Sequence, residues 1–222
     1  MIGPLGAVVE SVRPVRAEVA AAARKLAAEG LLVGTAGNIS AVDPETEEVA
    51  VTATGVVLAD CRPEDVTVVD RSGVVVEGKL APTPELELHL SALVASGARA
   101  VVHTHAPYAV AVSSVATSLP VLHYRQILLG GHIRVAPHGT SGSVEQTAHV
   151  VDALRNRSAA LIADHGAVTH GPTLAEAVEH ALLLEWCCRL FWGASRERGA
   201  PPPVHAAFPP PHQRHTDPPE ES

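Results

Sequence analysis

The sequence predicts an α/β domain of three layers, α/β/α, with helices on both faces of a mixed central sheet. Three observations predict it. Segments of helical periodicity, several with capping residues at their starts, alternate with short apolar runs. Two pairs of those runs close as hairpins around turn residues, so the sheet cannot be strictly parallel. Finally, 46% of residues are hydrophobic but only 3% are aromatic, so the core has to be packed from Ala, Val and Leu. The 222 residues suit one ordinary domain.

The elements follow in order. Over 14–29, Val15, Val19, Ala22 and Leu26 recur at helical spacing, and Gly30 supplies the stop. A short apolar run, 31–33, leads into the turn-rich Gly34-Thr35-Ala36-Gly37-Asn38. The runs 39–42 and 49–54 read as strands joined at Asp43-Pro44-Glu45, and 66–70 and 74–77 as a second hairpin around Arg71-Ser72-Gly73. A helix is expected over 85–95, capped by Thr83 with Pro84 in its first turn. Strand 100–105, helix 107–116 and strand 132–136 come next. Ser143-Val144-Glu145-Gln146 matches a capping box opening a helix to about 154, with Val144, Ala148, Val151 and Leu154 on its apolar face. Strand 159–163 precedes a second capping box, Thr173-Leu174-Ala175-Glu176, which opens a long helix to about 192. The predicted domain spans 1–198. The remainder, 199–222, holds eight of the 18 prolines and reads as a tail without regular structure, its His205, His212 and His215 solvated.

Composition excludes several function classes. Sixteen basic against 24 acidic residues give a net charge of −8, which is not the footprint of a nucleic-acid binder, and no polybasic cluster addresses an anionic membrane. The stretch 100–124 lacks Asp, Glu, Lys and Arg, but its His103, His105, His123, Pro107 and Pro120 mark buried soluble core, not a membrane span. Cys61, Cys187 and Cys188 are odd in number and form no Cys-x-x-Cys pair, which fits a reducing compartment. The N-terminal residues lack the basic flank of a secretory signal, so a cytoplasmic location is expected.

The chemistry gathers in a few places. His103-Thr104-His105 ends a predicted strand, where residues two apart share a face and stand about 7 Å apart at Cα, close enough for both imidazoles to reach one cation. The structural alternative is a pair of cleft histidines with other partners. Asp164-His165-Gly166 ends strand 159–163, and His165 would complete a three-histidine site with an open position, the pattern of a catalytic zinc. Alone, His165 reads as a turn residue; His170 is the rival third ligand. Glu85, at the start of its helix, is the adjacent carboxylate, with His89 one turn on along the same face; a plain helix-start Glu is the bland reading. The small-residue loops around Gly37-Asn38 and Thr54-Gly55 let backbone N–H groups approach an anion, although each alone reads as a turn.

Taken together, Gly34-Thr35-Ala36-Gly37-Asn38-Ile39-Ser40, Thr52-Ala53-Thr54-Gly55, Pro82-Thr83-Pro84-Glu85, Val102-His103-Thr104-His105, His123-Tyr124 and Asp164-His165-Gly166, in this order, resemble the fuculose-phosphate aldolases of the class II aldolase/adducin family. The resemblance implies an α/β/α sandwich around a mostly antiparallel sheet, assembled as a homotetramer with active sites at subunit boundaries. It implies that His103, His105 and His165 hold Zn²⁺ or another divalent metal. Glu85 becomes the catalytic acid/base and a resting metal ligand, and Tyr124 serves a neighbouring subunit's site. Gly37, Asn38, Thr54, Gly55 and Thr83 would surround the phosphate of a sugar-phosphate substrate. The implied reaction is reversible cleavage of a ketose 1-phosphate, fuculose 1-phosphate-like, into dihydroxyacetone phosphate and an aldehyde. The alternatives are a 4-epimerase, dehydratase or decarboxylase on the same scaffold, or a non-catalytic adducin-like assembly module. Many relatives carry Ser-Ser where this chain has Thr83-Pro84, and no tyrosine follows Tyr124.

Overall fold

The computed structural model describes residues 13–197; the expected tail over 199–222 lies outside the described residues. The elements are α1 (Pro14–Ala28), β1 (Asn38–Val42), β2 (Val49–Thr52), β3 (Val66–Val69), β4 (Val75–Glu77), α2 (Leu86–Ser96), β5 (Ala100–Thr104), α3 (Pro107–Ser113), β6 (Ser118–Leu119), β7 (Ile133–Ala136), α4 (Val144–Ala153), β8 (Ala159–Ile162), β9 (Gly166–Gly171) and α5 (Leu174–Glu197). The strands form one sheet in the order β4-β3-β2-β1-β5-β9-β8-β7-β6. Every described pairing is antiparallel except β7 with β8, which α4 connects as a crossover.

Alternation along the strands sorts the core into two layers. Ala100 and Val102 of β5 join Val19 and Leu26 of α1, Val112 of α3 and Leu184 of α5 on one face. Val101 joins Leu88 and Leu93 of α2 and Val150 of α4 on the other. His103 follows Val101 by two, so it points to the α2/α4 side. Because β5 is the fifth of nine strands, His103 sits in the middle of the sheet, directly opposite Asn38 on β1 and Val168 on β9.

Four expectations need correction. The helix after Pro84 starts at Leu86; Glu85 is its cap residue, with non-helical φ −96° and ψ 22°, and the Thr83 hydroxyl accepts from the Glu85 N–H at 3.3 Å instead of capping the helix. Strand β5 ends at Thr104, so His105 lies just past it. On α4 the capping Ser143 accepts from Gln146 N–H as expected, but Gln146, Thr147, Val150 and Ala153 face inward while Val144 is 79% exposed. Finally, residues 166–171 form the buried strand β9, unanticipated because Gly-Ala-Val-Thr-His-Gly reads as turn-like by composition. His170 belongs to β9, with its Nε2 donating to the Arg157 carbonyl at 2.9 Å, away from His103 and His105.

Two glycines let the backbones close up at the site. A Cβ on Gly37, whose φ is +99°, would lie 2.8 Å from the His103 carbonyl oxygen; one on Gly166 would overlap the Thr104 carbonyl oxygen outright. Gly166→Ala should therefore destabilise the fold by on the order of 3 kcal/mol, because the obstacle is backbone and cannot swing aside. Urea unfolding of the variant measures it, and a midpoint equal to wild type would remove the packing argument.

Candidate active site

The three predicted histidines meet. The ring centroids of His103, His105 and His165 are 4.7–4.9 Å apart, and one nitrogen from each lies within 4.8 Å of the others. His103 is positioned by β5, and its Nδ1 donates to the Ala167 carbonyl of β9 at 3.0 Å, which leaves the Nε2 lone pair aimed into the cluster. His105 follows the strand end and turns its Nε2 to 3.1 Å from that of His103. His165 occupies the β8–β9 turn, where Asp164 adopts the left-handed conformation (φ 56°) that aspartate tolerates better than most residues.

Two imidazole nitrogens at 3.1 Å repel unless a proton or a cation sits between them. For a tetrahedral zinc with bonds of 2.0–2.1 Å, the ligand nitrogens would stand roughly 3.3 Å apart. Burial and mutual repulsion lower the pKa of all three, that of His165 to about 4, with Glu85 opposing the shift. Neutral imidazoles are the form that binds a metal. The donor set fits a divalent cation.

Glu85 faces this cluster from the N-terminus of α2. Its Oε2 lies 3.3 Å from His103 Nε2 and its Oε1 3.8 Å from His165 Nε2. Asn38 donates to Oε2 and the Ser141 hydroxyl to Oε1, each at 2.8 Å. Burial pulls the Glu85 pKa up, but the electrostatic pull of the facing His103 ring, the two hydrogen bonds and His165 outweigh it and hold it at about 2. The resting group is an ionised carboxylate with two donors on it.

Sequence reasoning missed two supports. Ser141 gave no signal, being one polar residue in a loop. Gln146 did, but as a capping-box member: its N–H bonds Ser143 Oγ, while its side chain reaches Gly142 N–H at 3.2 Å and His165 Nδ1 at 2.8 Å. It is the Gln146 NH₂ group that faces His165 Nδ1, with Oε1 accepting from the Gly142 N–H; turning the amide about its last bond would set the carbonyl against an Nδ1–H and leave His165 Nε2 free for a cation. Gln146→Leu should weaken zinc binding about 10–100-fold, read by chelator competition, with Gln146→Glu retaining it. Equal affinity in all three proteins would show that Gln146 does not orient His165.

A cavity of about 340 Å³ opens beside the cluster, walled by Gly37, Asn38, Thr54, Gly55, Thr83, Pro84, Glu85, Ser141, His105 and His165 among others. Among the described residues, no lysine or arginine is in that wall. The Thr54 N–H is engaged by the Ala81 carbonyl, and the Asn38 amide by Glu85 and His89. Tyr124 does not line the cavity: it is 74% exposed and packs beside His123, whose ring meets Trp186 edge-on. Cys61, Cys187 and Cys188 are buried free thiols away from the cavity. Among the described residues, no helix is long and apolar enough to cross a membrane.

A sequence model described as the class II aldolase and adducin N-terminal domain matches residues 17–192. The chain belongs to this family. Among class II aldolase relatives, a 5-deoxy-D-ribulose 1-phosphate aldolase of Bacillus thuringiensis serovar kurstaki is 32% identical over 178 residues, covering 80% of this chain and 84% of that protein. An L-fuculose phosphate aldolase of Escherichia coli is 35% identical over 164 residues, covering 73% and 75%. A solved L-fuculose 1-phosphate aldolase superposes with a TM-score of 0.77 at 29% identity, covering 86% of this chain and 90% of that one.

One further residue of the site responds to pH. His89 is fully buried on α2, and desolvation, with His103 adding to it and Glu85 opposing, lowers its pKa from 6.5 to about 3. Below pH 6.5 the unfolded chain protonates this imidazole and the folded chain does not until about pH 3. Stability should therefore fall with pH across that window, by about 1.4 kcal/mol per pH unit from this group alone. Denaturant midpoints of the wild type and His89→Gln measure it; equal slopes would show that His89 is not buried neutral.

Proposed function

We propose that the chain is a zinc-dependent aldehyde-lyase that reversibly cleaves a ketose 1-phosphate into dihydroxyacetone phosphate and an aldehyde. One observation carries the reading: the imidazoles of His103, His105 and His165 meet beside the ionised Glu85, and His105, His165 and Glu85 open onto one cavity. The relatives named for 5-deoxyribulose 1-phosphate and fuculose phosphate support the ketose 1-phosphate class.

Breaking the C3–C4 bond leaves an electron pair on the carbon next to the carbonyl. A zinc ion held by His103, His105 and His165 would supply Lewis acidity toward the ketose oxygens. In the aldol direction Glu85, ionised and beside the cluster, takes the C3 proton of dihydroxyacetone phosphate while Tyr124 of a neighbouring subunit gives one to the aldehyde oxygen. In cleavage the C4 hydroxyl returns its proton to that tyrosine, and the protonated Glu85 returns its own to C3. The hydroxyls of Thr54 and Thr83 and the backbone of Gly37 and Gly55 line the phosphate end, with Asn38 at its inner edge. With Pro84 lacking an N–H and no lysine or arginine among the described residues of the wall, the phosphate is held by neutral donors. Tyr124, exposed beside Ile127 and Leu128, reaches the aldehyde oxygen in a neighbouring subunit of a homotetramer.

The test is a product assay on the zinc-loaded protein with 5-deoxyribulose 1-phosphate, fuculose 1-phosphate, ribulose 1-phosphate and ribulose 5-phosphate. Release of dihydroxyacetone phosphate from one or more of the 1-phosphates is expected. Epimerisation of ribulose 5-phosphate, with no cleavage of any 1-phosphate, would overturn it.

A further inference from the structure

His89 has no part in the chemistry above, yet it is a fully buried polar side chain joined to the site by an unbroken line of hydrogen bonds. It stands one helical turn after Glu85 on α2, and its backbone N–H bonds the Glu85 carbonyl at 3.3 Å. On β1, Asn38 and Ser40 are two residues apart and share the face toward α2. The two periodicities interlock. Ser40 Oγ lies 2.7 Å from His89 Nδ1, His89 Nε2 lies 2.5 Å from Asn38 Oδ1, and Asn38 Nδ2 lies 2.8 Å from Glu85 Oε2. All four side chains are buried, Ser40 and His89 completely.

Such a chain has only one consistent direction. An ionised carboxylate accepts but does not donate, so Asn38 must turn its NH₂ end to Glu85. Its carbonyl then faces His89, which must carry its proton on Nε2. His89 Nδ1 is left as an acceptor, and the Ser40 hydroxyl donates to it. With the opposite tautomer, Asn38 would flip and set its carbonyl oxygen against the carboxylate without a hydrogen between them.

The lock matters when Glu85 takes a proton. A free amide would then flip and offer its carbonyl to the new carboxyl O–H, stabilising the neutral acid and retarding proton return. Held by His89, Asn38 keeps its N–H on the carboxylate and favours the ionised form throughout the cycle. We propose that His89 is a positioning residue for Glu85, locking the Asn38 amide through its Nε2–H tautomer, an inference that rests on the acid/base role proposed for Glu85.

Three measurements on the zinc-loaded full chain test it. First, ¹⁵N-histidine NMR of the wild type reads the tautomer without reference to activity; a neutral Nε2–H ring with an acceptor Nδ1 is expected, and an Nδ1–H ring or an imidazolium overturns the lock. This readout stands even if Glu85 proves not to be the base, so the two readings fail separately. Second, His89→Leu should lower kcat by about tenfold with KM and zinc content unchanged, and His89→Gln, which retains a donor, should restore most of it. A rise in KM with kcat unchanged would place Asn38 on the substrate instead and overturn the proposal. Third, in an Asn38→Ala background His89→Leu should change kcat by less than about twofold, because the hydrogen-bonded side-chain route to Glu85 is gone while the backbone bond between the two residues is the same in both proteins. A full tenfold further loss there would mean that His89 acts some other way.

Discussion

Glu85→Gln is expected to cut turnover by about 10²–10⁴-fold, the usual contribution of a positioned acid/base, while zinc stays bound. The substitution fits the pocket. The amide oxygen can accept the Asn38 N–H, and the Ser141 hydroxyl can rotate to accept from the new NH₂, so neither partner is orphaned. The three imidazoles that would hold the cation are untouched, and zinc content by elemental analysis should remain near one per chain. What disappears is an ionised, largely buried carboxylate of the cavity wall, the group proposed to move the proton at the carbon beside the carbonyl. Turnover within about tenfold of wild type would take Glu85 out of the chemistry.

The parts of the site that were legible in the sequence are those whose residue type alone implies a partner. His103-Thr104-His105 and Asp164-His165-Gly166 could be joined because both end predicted strands, where ligands of an α/β sheet gather, and the structure brings all three histidines within 4.8 Å. What escaped was decided by contacts distant in sequence. Gln146 looks like a helix cap from its neighbours, and it is one; only the fold shows that its side chain also meets His165, 19 residues on. The inward face of α4 was misread for the same reason. Gln146 faces inward, where its side chain meets His165 and Gly142, and the more apolar Val144 is turned out to solvent. Strand β9 was invisible because its glycines serve close approach, Gly166 to the backbone of β5 and Gly171 to the first turn of α5, a demand that local propensity does not record. Asn38, matched by family resemblance to a phosphate position, is already bonded at both ends of its amide, to Glu85 and His89.

The second large effect concerns the cation. His103 is a poor choice for the test, since it is fully buried on the middle strand and its removal would leave a cavity and strand its bond to the Ala167 carbonyl. His105 lies past the end of β5, is only partly buried, and its ring nitrogen meets His103 instead of the backbone. His105→Ala should thus change the stability of the metal-free protein by no more than about 1 kcal/mol. Zinc affinity should fall by more than the roughly 100-fold that loss of an outer partner costs, because a catalytic zinc rests on three protein ligands and only two would remain. Thermal unfolding reads both quantities in one experiment. Zinc at 100 times its dissociation constant stabilises a folded site by about 2.7 kcal/mol, so the wild type should melt at a higher temperature with zinc than without, and the variant should show almost no difference. Dihydroxyacetone phosphate release should vanish in step with that stabilisation. A variant that still melts higher with zinc and keeps its turnover would mean that the cation sits elsewhere, and that the 3.1 Å approach of His103 and His105 is bridged by a proton.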